Sequence, residues 1–115
     1  MLTTTANDTP WTITPHRIFR CVAVAYPQSD VRSIPLDTHK TINVHRALHW
    51  LKQRTSEITQ QFDPAHAQEG QHWLTDEAEH ERAVAYLTLG TGYQITLYDK
   101  DTCYVLVVHP PGATS

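Results

Sequence analysis

Glycine, cysteine and basic charge are all scarce in this chain. Only four glycines occur in 115 residues, and none falls in the proline-bracketed stretch 27–40, so that connector is no phosphate cradle. Nine basic residues face twelve acidic ones, for a formal net charge of −3, and the basic residues are spread along the chain. Broad binding to a nucleic-acid backbone needs concentrated Lys and Arg, so nucleic acid is an unlikely partner; the same balance argues against a membrane-surface role. No apolar run approaches the length that crosses a bilayer. The opening MLTTTANDTPW lacks a basic region followed by an apolar stretch, so no secretory signal is read there. The expected compartment is the cytoplasm. There Cys21 and Cys103 are expected to be buried free thiols, although both fall in expected strands and a bridge between them stays open.

The chemical motifs are missing too. There is no C-x-x-C, no H-E-x-x-H and no G-x-S-x-G. Cys103 with His109 is a nucleophile–base pair in sequence only. Asp99 and Asp101 are more simply turn residues than an acid–base pair. The expectation is therefore a protein that is not an enzyme and carries no cofactor. Eight histidines are many for this length. His45 and His49 are four apart on an expected helix, and His72 and His80 form a second group. A metal- or small-ligand-binding domain built on these four is the alternative reading, without a third or fourth ligand at diagnostic spacing.

What is present is a closing meander. Residues 83–110 read AVAYLTLGTGYQITLYDKDTCYVLVVHP, three apolar runs separated by Gly90-Thr91-Gly92 and Asp99-Lys100-Asp101. That predicts strands at 83–89, 93–98 and 102–109. With the turns centred on Thr91 and Lys100, Ala85, Leu87, Leu89, Tyr93, Ile95, Leu97, Cys103, Val105 and Val107 share one apolar face. Tyr86, Thr88, Gln94, Thr96, Tyr98, Thr102, Tyr104, Leu106 and Val108 share the other. A competing reading runs one helix from 76 to 89 and stops it at Gly90, because Thr75, Asp76, Glu77 and Glu79 look like a capped helix start.

Upstream, residues 17–26 (RIFRCVAVAY) predict a strand. Phe19, Cys21, Ala23 and Ala25 form one face, small enough for a helix to come close. Both faces are mostly apolar, so a central strand with cover on both sides is expected. Val44, Leu48, Leu51, Thr55, Ile58 and Phe62 recur at helical steps and predict one long amphipathic helix over 41–62, ended by Asp63-Pro64. A short helix near 76–81 follows, with Gly70 read as a turn. The whole is expected to be a single α+β domain over 1–115, with 1–10 and 111–115 disordered. A small antiparallel sheet of about four strands would carry the long helix on one face.

Tyrosines with apolar bodies and polar tips are enriched where proteins touch. The expected function is thus binding and occluding another macromolecule, most simply a protein, in the manner of an inhibitor, immunity protein, antitoxin or anti-defence protein. Tyr86, Tyr98, Tyr104 and Leu106 would anchor, and Asp76, Glu77 and Glu81 would steer. The same surface can also form a homodimer.

Overall fold

The computed structural model describes residues 17–29 and 32–112. The expectations for residues 1–10, and for 113–115 within the tail, lie outside them. Four strands and three helices run in the order β1 (Phe19–Pro27), β2 (Ile34–Thr41), α1 (Val44–Thr59), α2 (Pro64–Leu74), α3 (Glu77–Thr88), β3 (Tyr93–Tyr98) and β4 (Thr102–His109). The strands form one antiparallel sheet of order β2-β1-β4-β3, with β1 and β4 central. This is a small α+β domain. No helix among the described residues is long and apolar enough to cross a membrane.

All three helices pack on one side. On β1, Phe19, Cys21, Ala23 and Ala25 are buried there. Their small side chains let α1 approach, and Ala47 and Leu51 meet them with no exposed surface. Polar bonds fix the rest of the layer. Trp50 Nε1 donates to Asp37 Oδ2 at 2.8 Å, tying α1 to edge strand β2. Trp73 Nε1 donates to the Tyr93 hydroxyl at 3.0 Å, and that hydroxyl donates to Glu79 Oε2 at 2.6 Å, joining α2, β3 and α3. His80 Nε2 donates to the Trp73 carbonyl at 2.7 Å.

The sequence reading needs six corrections, the last of them at Gly70. Residues 83–89 are not a strand; they are mostly the second half of α3. Asp76 caps this helix by accepting from the Glu79 amide, and His80, Ala83 and Leu87 form its buried stripe. Gly90, at φ 88°, takes the left-handed conformation that ends it. The fourth strand is instead Ile34–Thr41, within the supposed connector. The long helix is α1, shorter at both ends: Asn43 caps it through bonds from the His45 and Arg46 amides, while Thr41 still belongs to β2. Asp63-Pro64 also starts a further helix, since Asp63 accepts from the His66 amide and Pro64 sits where its missing N–H costs nothing.

The fifth correction is the register of the last hairpin. Tyr98 stands opposite Cys103 and Ile95 opposite Leu106. The slip from the expected pairing is one residue, and one residue reverses a strand. Leu106 and Val108 are fully buried on the helix side, and Tyr104 packs against the core. Cys103, Val105 and Val107 face the other way.

Two predictions follow from this packing. Gly70 is a packing contact within α2, not a turn. A Cβ there would lie 2.0 Å from Thr59 Cγ2. Gly70→Ala should destabilise the fold by about 1–3 kcal/mol in urea unfolding. Adding Thr59→Ser, which removes that methyl and keeps the hydroxyl, should recover part of the loss; no recovery would place the strain elsewhere.

The second concerns Tyr93. Burial, and then its bond to Glu79, push the hydroxyl from 10.0 up to about 12. The folded state therefore keeps a proton that the unfolded chain releases. The stability this contributes is complete below pH 10 and is lost as pH rises towards 12, on the order of 2 kcal/mol in all. The stability gap between the native chain and Tyr93→Phe should narrow as melting is measured from pH 8 to pH 11. A constant gap would contradict this.

Candidate functional site

No described helix covers the far face of the sheet. Antiparallel pairing arranges its side chains in four rows, because residues directly opposite each other point to the same side. Lys40, Arg20 and His109 form the first row. Thr38, Val22, Val107 and Gln94 form the second. Pro35 pairs with Val24 in the third, followed by Val105 and Thr96; the register shift beside Val24 is a bulge. Tyr26, Cys103 and Tyr98 form the fourth.

This face has a basic end, an apolar centre and an aromatic end. The four valines are half-buried by their neighbours in the sheet. Tyr26 and Tyr98 are 47% and 58% exposed, among the most exposed large apolar side chains described. They border a depression of about 300 Å³ whose rim includes Gln28, Asp99, Asp101 and Cys103. The hairpin turn is held there by the Gln28 amide, which donates to the Asp101 carbonyl at 2.8 Å. Arg20 and Lys40 form no ion pair among the described residues.

The anchors read from sequence separate onto different surfaces. Tyr98 is on the open face. Leu106 is in the core with 0% exposure, and Tyr104 lies on the helix side, its ring 5.4 Å from that of Phe62. Tyr86 is on α3, partly exposed, with the Arg82 guanidinium 5.4 Å above its ring. Asp76 is the α3 cap, and Glu77 and Glu81 are exposed on the same helix. These three acids and Tyr86 thus belong to the helical layer, away from Tyr98. Tyr26 was missed as an anchor. The alternation of β1 already places it with Val22 and Val24, and that was the available signal.

The histidines do not converge. His45 and His49 are exposed on α1, His72 is exposed on α2, and His80 is buried and bonded to Trp73. His45 and His80 both border a shallow groove of about 270 Å³ with Leu48, Glu81 and Val84. Among the described residues no three His, Cys, Asp or Glu side chains stand where they could share a metal ion. Cys103 and His109 lie at opposite ends of β4, about 20 Å apart at strand spacing, so they form no dyad.

No family model, curated protein or solved structure matches the chain.

The cysteines are both free. Cys21 pairs with Val108 and Cys103 with Tyr26, at different levels and on opposite faces, so a bridge between them is excluded. Burial, and then the Asp37 carboxylate, push the Cys21 thiol from 9.0 up to about 11. Iodoacetamide at pH 8 should therefore alkylate Cys103 about tenfold or more faster than Cys21, as read by peptide mass spectrometry. Equal rates would contradict the placement of Cys103 on the open face.

Proposed function

We propose that this protein works by binding another protein through the open face of its sheet, and not by catalysis. One observation carries the reading: Val22, Val24, Val105 and Val107, with Tyr26 and Tyr98, occupy a sheet face that no described helix covers. Aliphatic side chains in the centre, aromatics at one side and charge at the rim match the anatomy of protein interfaces. Contact with such a face hides a partner's surface, so occlusion is the mechanism, as in an inhibitor or antitoxin. The free thiols suit a reducing compartment such as the cytoplasm. The acids Asp76, Glu77 and Glu81 lie on the helical layer and take no part in this contact.

Quantitative affinity capture from an extract of the source cells tests this reading. Three baits are compared: the native chain, Tyr98→Ala with Val105→Ser on the open face, and Arg46→Ala on α1. Proteins retained by the native chain and by Arg46→Ala should fall at least about tenfold with the open-face bait. Equal retention by all three baits, with all three folded by circular dichroism, would sink the reading.

A further inference from the structure

We propose that the occupant of the open face is a second copy of this chain, packed face to face about a two-fold axis that runs across the strands. This assignment rests on reading the open face as a protein-binding surface. Two features of that surface favour it, and a third sets its strength.

The first is how the rows are spaced. Side chains on one face repeat every second residue, so the four rows are evenly spaced along the strands. An axis across the strands, between the second and third rows, exchanges the two. Val22 and Val107 of one copy then lie over Val24 and Val105 of the other. The apolar centre meets an apolar centre, and facing sheets of this kind pack about 10 Å apart with their strands nearly aligned.

Charge is the second feature. The same axis keeps each strand over its own copy, so Arg20 lies over Tyr26 of the other copy and His109 over Cys103, while Lys40 lies over the start of β2. Asp101, in the turn tied to Gln28, borders the same depression as Tyr26. A guanidinium over a tyrosine ring and near a carboxylate is favourable on both counts. Lys100, in the same turn, lies close enough to Asp63 to help hold that carboxyl below its usual range, after the larger effect of the His66 hydrogen bond. Within the turn, Lys100 offsets one of the two carboxylates. The other two-fold arrangement, about an axis along the strands, would set the basic row over the basic row, with Arg20 facing His109. Like charges brought together that way disfavour it.

The third feature is area. From Arg20 to Tyr26 the strand runs about 20 Å, and four strands with their side chains span a similar width. The patch is thus on the order of 400 Å² in projection for each copy, about 800 Å² for the pair, below stable interfaces and in the range of weak, transient ones. The dimer is consequently reversible, and it dissociates on dilution.

Light scattering on the full chain, from about 1 to 100 μM, tests the assignment. The expected result is a mass that rises from monomer to dimer with concentration and falls again with added salt. Two charge-reversal variants then fix the geometry. Arg20→Glu with Lys40→Glu, and Asp99→Lys with Asp101→Lys, should each weaken self-association by about tenfold or more. Mixed in equal amounts, they should form a heterodimer, because each one's reversed end then matches the other's. In the native dimer, alkylation of Cys103 should slow as concentration rises.

A native chain that is monomeric at every concentration overturns the proposal. So does a dimer that both reversal variants form unchanged. A monomeric chain whose captured protein is still lost with the open-face bait overturns only the second copy and leaves the broader reading standing. Loss of both overturns both.

Discussion

The turn between β3 and β4 contains an even number of residues, and the surface of this protein depends on that. The Asp99 amide donates to the Thr102 carbonyl at 2.9 Å, leaving Lys100 and Asp101 as the loop. Tyr98 is therefore opposite Cys103. With an odd loop, Val105 and Val107 would point into the helical layer, and Tyr104, Leu106 and Val108 would point away from it. The even loop sends the larger side chains inward, where Tyr104 meets Phe62 and Leu106 is fully enclosed. It leaves the β-branched Val105 and Val107 on the other side.

That inward choice is held by the polar bonds of the helical layer. Trp50 and Trp73 are the largest side chains there, and each has its indole N–H paired across elements, to Asp37 and to Tyr93. An indole buried without a partner would cost about 1–3 kcal/mol. These pairings position α1 against β2, and α2 and α3 against β3, so all three helices stay on one side. No described helix lies on the far face because all three are fixed on the other side.

Much of this was legible in the sequence. The two faces of β1, and the Val44, Leu48, Leu51, Thr55 and Ile58 stripe of α1, can be read from their periods, since burial is strongly one-sided there. β2 was not legible because its residues are nearly all exposed, so no alternation is written into IPLDTHKT. The second half of α3 read as a strand because exposed apolar residues, Tyr86 and Leu89, blur the stripe of His80, Ala83 and Leu87. Of the candidate surface, Tyr98 was found and Tyr26 was passed over. Tyr104 and Leu106 were placed on the wrong side by a single residue of register. Local sequence gives a strand its alternation but not its phase; the turn and the packing decide that.

The edges of the sheet support association through the face. A sheet can associate by adding strands at an edge or by covering a face. Edge β2 carries Pro35, a bulge at Leu36 and Lys40, all features that hinder strand addition. Edge β3 is only six residues long, bounded by Gly92 and the Asp99 turn. Short or interrupted edges leave little backbone to pair. Among the described residues the face has no comparable obstruction. Its centre holds no charge; the basic row lies at one end of the strands, and the turn of Asp99, Lys100 and Asp101 lies beyond the other. A surface meant only for water would intersperse its charges across the valines. Here they are segregated to the ends, the pattern that the proposed face-to-face contact uses.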